Sequence, residues 1–544
     1  MLELKAQDCP NEIAFRYMVG RSAMVERTYE QFYSDVRALG TYLLKHHIKG
    51  RKIALLGENS YYWLVAYFAI VTTGNIAVLV AKDAADAEVA TLVFQSDTDI
   101  IVSSSACDSA LEYCKQRYGR KKTYFPMERI RKSIVAGQKA LDKGKNYYDR
   151  AKTDPDAACT IFFTSGSTGF SKGVQISQTG MLHDFAGCLQ LVDPGESCMS
   201  VLPFTHVFGL VVGIMVPFHC QMPIFICSSL SNFMREIPIA KPTTLCLVPL
   251  FVETFYKTIW RTAEKQKQAK TLRRGMMASD AMLKLGIDRR RKLFESIHSK
   301  FGGNLKTIVC GGAPLDPRFV KEFHSLGIEI LNGYGITECS PVLSVNRNDA
   351  NKAGSVGMPL PNIEVKIYEP DEKGHGEIIA KGPNVMLGYY NDPRATEEVI
   401  DENGWFHTGD LGYLDEEGFL FVSGRKKSLI ILSNGENVSP EEIEQYVERI
   451  NEVQEVVVYA DENAITAEVY PDETIGLSKE EIVRRIQKQI DKINASLPNH
   501  KHIRKLKIRD TEFEKTSTRK IKRYKAAPKQ EAPKTEEPAP ESES

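Results

Sequence analysis

The sequence predicts an α/β protein: a large composite N-terminal domain of parallel sheets, helices and a bent β subdomain, followed by a small C-terminal α+β lid domain. Three observations carry this expectation. Residues 52–57 (KIALLG), 61–71 and 76–80 read as strand, apolar helix and strand, a unit whose crossover requires a parallel sheet. The rhythm returns from residue 307, where TIVCGGAPL reads as a strand entering a Gly-rich turn, 318–326 as a helix and 328–331 as the next strand. After about residue 357 the texture changes to short alternating segments divided by Gly, Pro and Asp (VKIYEPDEKGHGEIIAKG), the pattern of a strongly bent antiparallel region.

A chain of 544 residues exceeds what one core serves, so at least two domains are expected. The first, 1–425, gains a further strand at 100–102. Residues 423–428 (SGRKKS) form a dense basic linker. Beyond it, 441–450 reads as a helix, 453–459 and 466–470 as strands, 479–497 as an amphipathic helix and 505–509 as a strand, which makes 426–527 the small domain. Residues 528–544, almost all Pro, Glu, Lys, Ala and Ser, have little to bury and read as a disordered tail.

Lysine plus arginine and aspartate plus glutamate both number 70, so no global field points to nucleic acid. Two local basic runs, 115–152 and 257–300, read as solvated helical faces ahead of a phosphate or anionic-lipid patch. Eleven cysteines without ligand spacing fit free thiols in a reducing compartment, and the N-terminus shows no signal pattern; a cytoplasmic protein is expected. The most apolar stretches are broken by Thr72-Thr73-Gly74-Asn75 and by Pro217-Phe218-His219, so no transmembrane segment is expected, and peripheral membrane contact is left open.

The most informative segment is 164–174, TSGSTGFSKGV, after an apolar strand at 159–163. Gly166 and Gly169 permit close backbone approach, Thr164, Ser165, Ser167 and Thr168 supply hydroxyls, and Lys172 supplies a point charge, which is what a polyphosphate needs. A Walker loop places glycine directly before its lysine and opens a helix. Here Ser171 precedes Lys172, and Gly173-Val174-Gln175-Ile176 alternates like a second strand, so the device is strand-loop-strand; a Ser/Gly surface hairpin is the plainer alternative. Open sheets bind ligands where loops leave the carboxyl ends of strands, and the loops Cys310-Gly311-Gly312-Ala313-Pro314 and Asn332-Gly333-Tyr334-Gly335 are expected at such ends.

Four further segments follow in order: GYGITE (333–338), GWFHTGDLGYLDEEGFLFVSGR (404–425), KKSLIILSNGENVSPEEIE (426–444) and EKTSTRKIKR (514–523). With the phosphate loop they resemble the adenylate-forming superfamily of acyl-CoA synthetases, luciferases and adenylation domains, across nearly the whole chain. That resemblance implies ATP, Mg2+ and a carboxylic acid as reactants, attack of the carboxylate on the α-phosphorus, and loss of pyrophosphate. It assigns the β and γ phosphates to the loop around Lys172, magnesium to Glu338 with Thr337 beside it, and the adenine slot to Gly311, Gly312, Ala313 and Pro314 on one side and Asn332, Gly333, Tyr334 and Gly335 on the other. The ribose goes to Asp410 and Arg425. Lys520 matches the lysine that bridges carboxylate and α-phosphate, delivered by a lid hinged at Lys427 or Ser428; rotation would withdraw it and present 433–439 to the acceptor. Two departures stand out: Ser171 where the loop more often has proline, and Arg519 where glycine commonly precedes the catalytic lysine.

LPFTHVFGL (202–210) resembles the family's acid-pocket motif, with His206 as the gate; a core histidine satisfied by its neighbours is the alternative. The stretch holds no aspartate to pair with a substrate ammonium, which argues against an amino acid. LSNGENVSPEEIE and FGGNLKTIVCGGAPLDP look most like bacterial long-chain fatty acyl-CoA synthetases. An AMP-forming acid-thiol ligase using coenzyme A is therefore expected, a loader of an acyl carrier protein or a non-catalytic nucleotide- or acyl-binding paralogue being the alternatives.

Overall fold

The structure, a computed structural model, describes residues 1–119, 122–165, 171–432, 437–461, 464–515 and 521–526. The chain divides into a large compact unit that runs to Val422 and a small one that begins at Ser423. The expected α/β class with a small C-terminal α+β domain is what the molecule has.

Among the described residues the large unit holds three sheets. One has seven strands in the spatial order Gly388–Tyr389, Ser171–Ser177, Ala158–Ser165, Ile76–Leu79, Lys52–Leu56, Ile100–Ser103, Thr123–Pro126. The last five are parallel and the first two are added antiparallel. The helix Tyr61–Val71, capped by the Ser60 hydroxyl on the Trp63 amide, buries every residue except Tyr62. Such a helix is apolar all round and must be enclosed. Its Trp63 and Tyr67 belong to one cluster with Leu55 and Leu79 of this sheet and with Phe15 and Ile224 of the second, so one core ties the two sheets together.

The second sheet has nine strands, in the order Met358–Pro359, Val342–Val345, Glu329–Gly335, Thr307–Cys310, Thr244–Leu247, Cys198–Ser200, Ile224–Ile226, Ile13–Val19, Ala23–Thr28. Parallel pairing runs from Glu329–Gly335 through to Ile13–Val19. One expectation is corrected here: Asn332-Gly333-Tyr334-Gly335 is not a loop after a strand ending at Leu331, because the strand continues to Gly335 and pairs antiparallel with Val342–Val345. The glycines serve close packing instead of turning. A Cβ on Gly333 would lie 3.1 Å from the Ser344 carbonyl oxygen, and one on Gly335 would collide with the Pro341 carbonyl. Strand pairing thus overrides the turn propensity of Asn and Gly.

The bent β region is a four-stranded sheet, Glu364–Tyr368, Gly376–Lys381, Phe406–Leu414 and Leu420–Arg425, with a register irregularity between Glu377 and Ile379 of the kind that bends a strand. The basic linker accordingly begins as strand and continues as one tight turn, Lys426–Ser428. In the small unit, Val453–Asp461 pairs antiparallel with Ala464–Pro471, which pairs parallel with Lys505–Ile508. Helices Pro440–Val447 and Lys479–Ser496 cover the sheet through Ile443, Val447, Ile482, Ile486 and Ile490. The tail 528–544 lies outside the described residues. No helix among those described is long and apolar enough to cross a membrane.

Candidate active site

The strand-loop-strand device is built as a hairpin. Ala158–Ser165 and Ser171–Ser177 pair antiparallel, with Thr164 opposite Lys172 and Ser165 opposite Ser171. Gly166, Ser167, Thr168 and Gly169 lie outside the described residues. Ser177 closes the second strand by accepting a hydrogen bond from the Gly180 amide, which starts the helix Gln178–Leu191 one hairpin length away from the loop. The hairpin edge is extended by Gly388–Tyr389, with Tyr389 opposite Val174.

That third strand brings in a residue that sequence reasoning missed. The Lys172 ammonium sits 4.5 Å from the centroid of the Tyr389 ring, and the Tyr389 hydroxyl donates to Glu338 Oε1 at 2.9 Å. Burial, followed by the Glu338 charge, pushes the Tyr389 hydroxyl far above its ordinary range, so it stays a proton donor to that carboxylate. Glu338 stands on the single turn Thr337–Cys339 that directly follows Glu329–Gly335, and its carbonyl accepts from the Met386 amide at 2.7 Å. Lysine, aromatic ring, hydroxyl and carboxylate thus form one continuous chain across three elements. PNVMLGYYNDP carries no chemical pattern that singles out Tyr389; only its place at the hairpin edge does.

A second pair starts from the strand Glu329–Gly335. Tyr334, near the end of its strand, donates its hydroxyl to Asp410 Oδ2 at 2.7 Å. Asp410 is buried, and its own amide donates to the Thr408 hydroxyl, which in turn donates to the Ile378 carbonyl. The Gly409 amide is held by Glu377 Oε1 at 3.0 Å, and Glu377 Oε2 stands 3.4 Å from His407 Nδ1. Glu377, also unmarked by any motif, therefore orders the string His407-Thr408-Gly409-Asp410.

An apolar pocket is lined by Gly311, Gly312, Gly333, Tyr334 and Gly335 together with Phe208, Val212 and Val216. Phe208 and Val212 belong to a π-helical stretch, Phe208–Met215, a geometry found disproportionately at functional sites. Gly311 is required by close approach, since a Cβ there would lie 3.3 Å from the Gly333 carbonyl oxygen. None of the described residues that line the pocket is charged.

Not every expected site residue converges. Ala313 and Pro314 stand exposed on the turn after Gly312 and are not part of the pocket wall. Asn332 is buried and turns its amide to the Ser355 carbonyl, so it ties its strand to the turn that precedes Met358–Pro359. His206 lies two residues before the pocket residue Phe208, in a turn where its amide donates to the Pro203 carbonyl. Arg425 ends its strand and Lys427 and Ser428 form the turn that follows it. Lys520, Arg519 and residues 433–436 lie outside the described residues.

The AMP-binding enzyme profile matches residues 2–390 and the AMP-binding enzyme C-terminal domain profile matches 427–531. The chain is 26% identical to the long-chain-fatty-acid–CoA ligase FadD15 of Mycobacterium bovis, over 96% of this chain and 94% of that one. Among solved structures it resembles o-succinylbenzoate CoA synthetase (MenE) of Bacillus subtilis, in complex with its acyl-adenylate intermediate OSB-AMP, at TM-score 0.73 and 23% identity over 97% and 98% of the two chains. ATP-bound MatB of Rhodopseudomonas palustris superposes at TM-score 0.74 and 21% identity over 96% and 97%. With one profile covering most of the large unit and the second covering the small one, the chain belongs to the AMP-binding enzyme family, the adenylate-forming superfamily its motifs resemble.

Proposed function

We propose that this protein is an AMP-forming acid-thiol ligase that activates a medium- to long-chain fatty acid with ATP and magnesium, releases pyrophosphate, and passes the acyl group to coenzyme A. The observation that carries the reading is the chain Lys172, Tyr389, Glu338, whose carboxylate stands three residues beyond Gly335, together with an apolar pocket lined by Gly333, Tyr334 and Gly335 of the same strand. The names of the curated relatives favour a fatty acid. MenE and MatB, named for other acids or unspecified ones, share the fold, which leaves the acid to be read from the pocket.

In this reading Thr164, Ser165 and Lys172, with the loop between them, hold the β and γ phosphates. Tyr334 provides a flat face for adenine while its hydroxyl keeps Asp410 oriented toward the ribose. Glu338 would hold magnesium with the phosphate oxygens, which suits an ion bound through one or two carboxylates plus phosphates and would offset the triphosphate charge. Tyr389 packs its ring on Lys172 and bonds Glu338, which holds the two opposite charges on one side chain. His206 gates the acid, and Lys520 offsets charge at the α-phosphate during adenylation. A lid hinged at Lys427 or Ser428 then opens for the thiol, because an acyl adenylate survives only while water is excluded.

The pocket argues against an amino acid substrate. An ammonium among Val212, Val216 and Phe208 would have no partner, at a cost of several kcal/mol. The test is acid-dependent ATP–pyrophosphate exchange across a panel from acetate to palmitate, followed by thioester formation with coenzyme A and with holo carrier protein. AMP and pyrophosphate are the expected products, with Lys520→Ala abolishing exchange while ATP still binds. ADP as product, or exchange undiminished in Lys520→Ala, would sink the reading.

A further inference from the structure

We propose that the outer face of the helical segment 257–300 docks on an anionic lipid bilayer. Thirteen lysines and arginines and four aspartates and glutamates fall in these residues, within a chain whose overall charge is zero. Read as sequence alone, the run fits a solvated helical face. Exposure changes that reading.

Helix Ala269–Lys284 packs inward through Met276, beside Phe294 and Leu326, and through Ser279, whose hydroxyl donates to the Ser325 carbonyl at 2.9 Å. On its other side, Lys270, Arg274, Met277, Ala281 and Lys284 recur at helical spacing, and all are exposed. Met277 is 69% exposed, and Leu285, just past the helix end, is 77% exposed, the most of any large hydrophobic side chain described. Ile287 and Leu293 continue the apolar series, with the exposed basic residues Arg289, Arg291 and Lys292 beside them.

Four of the twenty large hydrophobic side chains exposed among the described residues, Met277, Leu285, Ile287 and Leu293, fall within residues 277–293, and it is such clustering, not single exposed side chains, that marks an interaction surface. Cations that reach a phosphate plane while aliphatic tips enter the acyl region are what an interfacial helix requires. The apolar members are also aliphatic, so they give nucleic-acid bases nothing to stack on. This surface stands on charge and exposure and does not depend on the proposed reaction, although a ligase for a bilayer-soluble acid would meet its substrate there.

The test is flotation of the full-length protein with vesicles of phosphatidylcholine alone or mixed in equal parts with phosphatidylglycerol, over a salt series. Binding is expected to the mixed vesicles only, falling steeply with salt. Joint charge reversal by Lys270→Glu, Arg274→Glu, Lys284→Glu and Arg289→Glu should abolish it. The pair Leu285→Ser and Ile287→Ser should lower the bound fraction about fivefold or more without changing net charge. Reversal of the exposed Lys132, Lys139 and Lys143 in the other basic run should leave binding as in the parent. The proposal is overturned if the parent ignores mixed vesicles, if the Leu285 and Ile287 pair has no effect, if the control reversal weakens binding equally, or if an oligothymidylate displaces the vesicles from the same residues.

Discussion

The two ends of the candidate site are built on opposite terms. At the end that the proposed function gives to the phosphates, three groups of fixed chemistry are linked: Lys172 over the Tyr389 ring, and the Tyr389 hydroxyl on Glu338. At the end that the proposed function gives to the acid, the described wall is assembled from residues between Cys188 and Val345, none of them charged. A phosphate end needs particular groups at particular distances, whereas an apolar cavity needs only the right volume, which many sequences supply equally well. Catalytic competence should therefore break at single residues of the first region, and substrate choice should shift gradually with volume in the second.

The largest effect is expected from Lys172→Ala or Glu338→Ala, each of which should lower acid-dependent ATP–pyrophosphate exchange by about 10²–10³-fold. Both should spare binding of a fatty acid to the apolar pocket, measured by displacement of a fluorescent acid. Loss of acid binding together with exchange would mean that the two ends are not separable.

Next comes Tyr389→Phe, which deletes one hydroxyl and keeps the ring beneath Lys172. A hydrogen bond to a charged group is worth roughly 1.5–3 kcal/mol, so exchange should fall about 10- to 100-fold. The loss should appear in the magnesium and ATP dependence and leave the KM for the acid unchanged. Tyr389→Leu, which also removes the ring, should be worse. If Tyr389→Phe matched the parent, the hydroxyl would be a packing detail and Glu338 would be held by other neighbours.

Legibility in the sequence divides along the same line. The crossover 52–80 was readable because a strand, an all-apolar helix and a second strand leave no alternative to a covered parallel sheet, and the structure has Lys52–Leu56, Tyr61–Val71 and Ile76–Leu79. Lys172 and Glu338 could be singled out because TSGSTGFSKGV and GYGITE resemble family motifs, and the structure links the two through Tyr389. Tyr389 and Glu377 were not, since each acts across a sheet pairing that no local pattern encodes. Asn332 to Gly335 misled for a related reason: residues with turn propensity serve there to let two backbones approach. The pocket takes Val212, Val216, Pro217 and Met222 from one short stretch of chain, but Cys246 and Val342 join it only once the strands are in register.

A smaller and more selective change is expected from Val212→Phe in the pocket wall, where Val212 lies opposite Cys246. Added volume should exclude the longer acids first. A methylene's worth of discrimination is about 1–3 kcal/mol, so the ratio of kcat/KM for long over short acids should fall about 10- to 200-fold. An equal decrease for every chain length would place the acyl chain elsewhere.

The smallest change concerns the loop's departure from the family pattern. Ser171 stands opposite Ser165 at the mouth of the hairpin, where proline is the more frequent residue. Proline restricts the unfolded chain and stabilises by about 0.4–1 kcal/mol where its φ is compatible, but it removes an amide that strand pairing or a bound phosphate could use. If that amide is dispensable, Ser171→Pro should raise the denaturation midpoint slightly and change the KM for ATP by less than about threefold. If the chain relies on it, both should worsen together. Serine here would then be a donor at the phosphate end, and the contrast between the two ends would sharpen to a single backbone N–H.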